Sequence, residues 1–174
     1  MLADATYKIL WRGFPILIIG TTDKDKVFHP YGIAITEGES SEDYAFVFEC
    51  LKSADFNLIK PTYLIADSAE QITVAFREIF GSDFIRVNCW AHKIRNIDNK
   101  LSLIPDEIIR KKIRTDILFL QLAASQREFD KASKLLLIKW SKEDSCKTFL
   151  DYFKEECLGQ RNGWFEGKCI LKEH

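Results

Sequence analysis

Apolar and polar positions in the first 36 residues follow no helical period. "LADATYKILW" (2–11) alternates in part and is rich in residues that suit a sheet. Gly13-Phe14-Pro15 reads as a turn. "ILIIGTT" (16–22) is a continuous apolar run bounded by turn residues, the pattern of a central strand. The polar connection "DKDK" (23–26) leads into "VFHPYGIAIT" (27–36), a third strand in which Pro30 and Gly32 mark an irregular start or an edge. Three strands joined by short turns predict an antiparallel meander.

The period then changes. Tyr44, Val47, Phe48 and Leu51 fall on one face of a helix over 40–52, with Ser40 or Ser41 as its cap. "TYLIAD" (62–67) reads as a short buried strand after Pro61. Ser68-Ala69-Glu70-Gln71 fits a capping box for a second helix, whose apolar face is Ala69, Ile72, Phe76, Ile79 and Phe80 and whose end is Gly81. "FIRVNC" (84–89) is a fifth strand. Four helical patterns follow. Trp90, Ile94, Ile97 and Leu101 make one stripe, and Pro105 opens a helix through about Ala124. Phe129, Ala132, Leu136 and Trp140 mark the third, and Cys146, Phe149, Leu150, Phe153 and Cys157 the fourth. "GQRNGWFEGKCILKEH" has three Gly and no clean period. The order β-β-β-α-β-α-β before a helical block is that of an α/β chain with a ribonuclease H-like mixed sheet; other α/β layouts stay open on topology alone.

Composition narrows the class. A length of 174 residues fits one domain with room for a modest insertion, and 47% hydrophobic with 13% aromatic residues is enough for a core and argues against disorder. No apolar run reaches the ~18–20 residues of a membrane span, so no membrane partner is expected. Met1 leads into strand-like sequence without a signal-peptide pattern. Five irregularly spaced Cys argue against a disulfide framework and for a reducing, intracellular compartment. The net charge of −1 hides an asymmetry: residues 1–80 carry 7 Lys/Arg against 12 Asp/Glu, and residues 81–174 carry 18 against 14. The basic run "IRKKIR" holds Arg110, Lys111, Lys112 and Arg114. It reads either as a solvated helix face or as a contact for DNA or a partner.

Two carboxylates stand out. Asp4 lies inside the first strand, where an Asp is unfavourable without a partner or ligand. Asp67 ends the fourth strand just before a helix, the place where ligands gather in open α/β sheets. If those two strands are neighbours, Asp4 and Asp67 face each other across 63 positions of sequence. Paired carboxylates repel unless a divalent cation sits between them, and Mg²⁺ suits such a site because it keeps water and phosphate oxygens as further ligands. The bland alternatives are a solvated Asp near a frayed terminus and a turn Asp at a helix start.

Cys89 and His92, in "VNCWAHKIRNI", share one side of a helix beginning at residue 89 and lie off its apolar stripe. A zinc site needs two more ligands, and Cys157, Cys169 and His174 form no tight pair, so zinc is not expected. No third group orients a cysteine nucleophile. A buried, hydrogen-bonded structural pair is the remaining reading.

"LADATYKIL", "YLIADSAEQITVAFREIFG", "VNCWAHKIRNI" and "QRNGWFEG" come in the order found in Mutator-like element (MULE) transposase catalytic domains, and the resemblance covers nearly the whole chain. It implies a ribonuclease H-like core over 1–101, a helical insertion over 102–157 and a truncated return segment over 158–174. It implies Asp4 and Asp67 as the first two acids of a DDE triad binding Mg²⁺ or Mn²⁺, two ions in the intact site, with Cys89 and His92 as the family's C(2)H pair. The implied activity is phosphodiester hydrolysis by water at a transposon end, then strand transfer by the freed 3′-OH. The implied partners are transposon-end and target DNA, a homodimer is allowed, and the location is the nucleus. Lys93, Arg95, Arg110, Lys111 and Lys112 are the candidate nucleic-acid contacts.

The chain departs from the family at the third acid. Glu155, Glu156 and Glu166 are within reach, but none stands on a returning helix. The expectation is therefore a fragment lacking that acid, inactive by itself. The rival expectation is a non-catalytic or domesticated module that binds DNA or protein through its basic helical block.

Overall fold

The meander forms where the alternation predicts it, as β1 (Leu2–Thr6), β2 (Ile16–Thr22) and β3 (Phe28–Ile35). The computed structural model describes residues 1–6, 13–23, 25, 27–54, 61–159 and 163–168, so the expected continuation of the first strand over 7–11 lies outside the described residues. The described chain continues with α1 (Ser41–Ala54), β4 (Tyr63–Ala66), α2 (Glu70–Phe80) and β5 (Ile85–Asn88). The five strands form one sheet in the order β3-β2-β1-β4-β5. β1–β2 and β2–β3 are antiparallel, with a register shift between Ile19 and Gly20, while β1 and β4 are parallel and pair at Leu2↔Ile65. This mixed sheet with interleaved helices is consistent with a ribonuclease H-like fold, and a helical region follows it.

Chain contacts divide the protein into two units, Met1–Val87 and Asn88–His174. In the first, α1 and α2 cover one face of the sheet. Tyr44, Val47 and Phe48 meet Ile72, Ala75, Phe76 and Phe80 over Ala3, Leu17, Ile19, Leu64 and Ala66. Phe48 lies edge-on to Phe76 with ring centres 5.4 Å apart, the offset geometry that ring quadrupoles favour. Ser40 and Asp43 cap α1 reciprocally: Asp43 N–H donates to Ser40 Oγ (3.2 Å) and Ser40 N–H donates to Asp43 Oδ2 (3.0 Å).

The start of α2 differs from expectation. Ser68 does not cap it; Ala69 occupies the cap position and makes no side-chain cap bond. The cause is Asp67, whose Oδ1 accepts the Ala69 N–H at 2.8 Å. An Asp bonding the main chain two residues on makes its own turn. That turn delays helical geometry until Glu70. At the other end Gly81 takes φ 85° and donates its N–H to Arg77 O at 2.9 Å, the left-handed stop that a glycine tolerates.

The second unit holds α3 (Trp90–Leu101), α4 (Glu107–Gln121), α5 (Gln126–Trp140) and α6 (Lys147–Tyr152). α4 begins two residues after Pro105, because the Asp106 carboxylate accepts the N–H groups of Ile108 (2.7 Å) and Ile109 (3.1 Å). The pattern from Cys146 to Cys157 is one continuous helical path in three forms: a 3₁₀ turn at Asp144–Cys146, then α6, then a π-helical stretch at Phe153–Leu158. All five of its apolar markers are buried.

The aperiodic tail is part of the core. Trp164 is 2% exposed and donates its indole N–H to Cys157 O at 2.8 Å. It stacks on Trp90 (5.5 Å, 16°) and meets the edge of Phe129 (5.1 Å). Phe165 stacks on Phe129 at 4.4 Å. Gly167 then runs against the α4–α5 turn, donating its N–H to Ala123 O (2.9 Å); a Cβ there would stand 2.3 Å from the Ala124 carbonyl carbon. Among the described residues no helix is long and apolar enough to cross a membrane.

Trp164→Ala removes the side chain on which three aromatic contacts converge. A loss of about 3–5 kcal/mol is expected for a buried Trp, read as an earlier urea midpoint for the second unit. An unchanged midpoint would show that the tail does not hold the helices.

Candidate functional site

Strand alternation assigns the two faces of the sheet. Ala3 in β1, and Leu64 and Ala66 in β4, are at most 1% exposed and point toward α1 and α2. Leu2, Asp4 and Ile65 therefore occupy the opposite face. Two backbone bonds lock the parallel pair: the Met1 amino group donates to Tyr63 O (2.7 Å), and Ile65 N–H donates to Met1 O (2.8 Å). Carrying the Leu2↔Ile65 register forward two residues sets Asp4 beside Asp67, one step past the end of β4. Paired strands lie about 4.8 Å apart, so residues 63 positions apart in sequence become lateral neighbours.

Both carboxylates are half-buried and each is oriented by a main-chain donor: Asp4 Oδ1 accepts Ala5 N–H (2.9 Å), and Asp67 Oδ1 accepts Ala69 N–H (2.8 Å). This donor set fits a hard divalent cation, which takes oxygen ligands and retains water. Among the described residues no group of three or more His, Cys, Asp or Glu converges on one point. Glu155, Glu156 and Glu166 all belong to the second unit; Glu155 and Glu166 are exposed, and the Glu156 carbonyl accepts Lys93 Nζ.

Arg86 on β5 is the residue that sequence reasoning missed. Its Nε donates to Thr73 Oγ1 (3.1 Å) and its Nη1 to Ala66 O (3.2 Å); Nη1 also reaches Val87 O, and Nη2 reaches Asp67 O. The available signal was a lone cation inside the short strand "IRVN".

Cys89 is the cap residue of α3, half-buried, and its carbonyl accepts Lys93 N–H at 3.0 Å. His92 is half-buried with a buried Nδ1. Of the predicted stripe Ile97 and Leu101 are buried, while Trp90 and Ile94 are half-buried, as Cys89 and His92 are. Of the proposed zinc partners, Cys157 is fully buried, and Cys169 and His174 lie outside the described residues. Burial pushes the Cys157 thiol up to about 11 and the Tyr152 phenol upward as well.

The candidate nucleic-acid contacts do not share one environment. Lys93 must be withdrawn from them: it is 4% exposed, and its ammonium donates to Glu156 O at 3.0 Å, inside the protein. Arg110 donates to Ile104 O (2.9 Å), Lys111 pairs with Glu107 (2.7 Å) and Arg114 pairs with Asp98 (2.8 Å). Arg95 and Lys112 are exposed. Asp98, Glu107, Arg110, Lys111 and Arg114 line a shallow groove of about 420 Å³.

The thiols have a clear expected order of reactivity. Alkylation at pH 8, mapped by mass spectrometry, should modify exposed Cys50 and spare Cys146 and Cys157 until denaturant is added. The folded state favours the neutral Cys157 thiol. Its contribution is therefore full below the ordinary thiol value of 9.0 and is lost as pH rises toward about 11. Thermal melts of the second unit should fall across that window, and a flat profile there would contradict the burial of Cys157.

No known family model matches the chain and no curated protein matches it significantly, so what is established is the α/β sheet with the strand order of a ribonuclease H-like fold and its helical region.

Proposed function

We propose that the first unit is the metal-binding core of a DNA transposase catalytic domain of the Mutator-like kind, with Asp4 and Asp67 as two of its acids. One observation supports this reading: the parallel β1–β4 pairing at Leu2↔Ile65, a register that reaches Asp4 and Asp67 when carried two residues forward. The likeness of the four sequence segments supports it independently. Mg²⁺ or Mn²⁺ bound there would supply charge stabilisation and activation of an attacking oxygen in phosphodiester hydrolysis and strand transfer. The chain's own contribution is to hold two carboxylates against their mutual repulsion, each pinned by one main-chain N–H. DNA is the corresponding substrate.

With two carboxylates in place, binding of the ion is expected to be weak. Mn²⁺ titration followed by electron paramagnetic resonance should show one weak site. Asp4→Asn and Asp67→Asn should each weaken it by more than about tenfold, since losing a direct ligand exceeds the usual effect of losing an outer-shell partner. Wild-type affinity in both variants would sink the metal reading. Strand cleavage by this chain with Mg²⁺ should be slight.

A second reading, a non-catalytic module that binds nucleic acid through α4, is favoured by the groove that gathers Arg110, Lys111 and Arg114. The pairing of those cations within the second unit weighs against it. Replacing Arg110, Lys111 and Lys112 together by Gln distinguishes the cases. Each phosphate contact contributes about 0.9 to the slope of log affinity against log salt. The catalytic reading expects a slope change of no more than about 0.9, chiefly from Lys112, whereas a change near 2.7 would favour the binding module.

A further inference from the structure

We infer that Arg86 is the positioning residue of the Asp4–Asp67 site, an assignment that rests on the metal-site reading above. Asp67 lies one residue beyond β4, where the ladder of main-chain hydrogen bonds ends. Carbonyls at such a strand end need donors. Arg86 supplies them from β5: its guanidinium reaches Ala66 O, Asp67 O and Val87 O while Nε is anchored on Thr73 Oγ1 of α2. Thr73 is only 9% exposed, so the anchor point is itself fixed by the core.

The consequence concerns one torsional unit. The carbonyl of Asp67 is held by Arg86, and its Oδ1 is held by the N–H of Ala69. Main chain and side chain of the acid are thus each held by a donor. Without the guanidinium, only the Asx turn would orient the carboxylate. A planar guanidinium with five donors in a fixed fork can bridge several carbonyls at once; a lysine ammonium is a compact charge on a flexible stem and cannot span the same set. The Arg86 donors named above end on three carbonyls and a hydroxyl, so its effect on the site passes through Asp67.

The full chain tests this with Mn²⁺ as the probe. Arg86→Lys keeps the charge and loses the fork. Its Mn²⁺ affinity, measured by electron paramagnetic resonance on protein whose circular dichroism matches wild type, is expected to fall about tenfold, as for other outer-shell partners. Thr73→Val removes the anchor at nearly constant volume and is expected to weaken Mn²⁺ by a smaller factor, about threefold. It decides the matter if Arg86→Lys does not fold.

Unchanged affinity in the folded variants, with Asp67→Asn still losing Mn²⁺, would overturn the role of Arg86 and leave the metal site standing. Unchanged affinity in Asp4→Asn and Asp67→Asn would overturn the site and the assignment together. A purely structural Arg86 would lower the melting temperature without moving the Mn²⁺ affinity of the folded protein.

Discussion

The parallel pairing of β1 with β4 is the constraint on which the first unit depends. β2 and β3 follow β1 closely in sequence and pair antiparallel, but β4 arrives only after α1, more than 60 residues along the chain. Closing so long a loop carries an entropic cost that local hydrogen bonds do not offset. The compensation is the layer of Ala3, Leu17, Leu64, Phe48 and Phe76. That layer also fixes the register. A slip of one residue would exchange the faces of β1 and turn Asp4 into the apolar core while exposing Ala3. Burial of an unpaired carboxylate is far costlier than exposure of a methyl group. The same alternation that builds the core therefore delivers Asp4 to the side where Asp67 stands.

The second unit solves a different problem. Its helices have clear apolar stripes, yet the side chain that joins them is Trp164, from a segment with no period at all. Trp164 reaches α3 through Trp90, α5 through Phe129 and the π-helical stretch through Phe153 and the Cys157 carbonyl. Close approach at Gly167 brings this segment onto the α4–α5 turn. Periodicity detects residues that repeat along one element. It is blind to a single large ring buried by contacts from several elements, and "NGWFEG" is of that kind.

Much of the architecture was legible because it rests on local pattern. The limits of β2, the face of α1 and the glycine stop of α2 follow from alternation, helical spacing and a positive φ. The failures share a cause as well: side chains bonding the main chain across a distance. Ser68 satisfied the capping formula, but Asp67 was already bonded to Ala69 N–H, and the formula does not weigh that competition. Lys93 has the charge of a nucleic-acid contact, but its ammonium ends on the Glu156 carbonyl, 63 positions away. Arg86 drew no notice because its acceptors are carbonyls, which carry no sequence signature. For the site, Asp4 and Asp67 were visible as misplaced carboxylates, and their adjacency required the register.

These cations change how the charge of the chain is understood. Lys52 donates to Ile79 O, Arg86 to carbonyls of β4 and β5, Lys93 to Glu156 O and Arg110 to Ile104 O. In each case a basic side chain satisfies the carbonyl end of a helix, strand or turn, a use that matches the excess of acceptors at such ends. Lys111 and Arg114 add acidic partners. The basic balance of residues 81–174 therefore overstates the positive charge available to a polyanion. Formal charge counts every lysine and arginine equally, whereas attraction for DNA depends on those whose charge remains in solvent and not engaged within the fold. In this chain the basic run of α4 is therefore weaker support for a polyanion contact than its formal charge indicates.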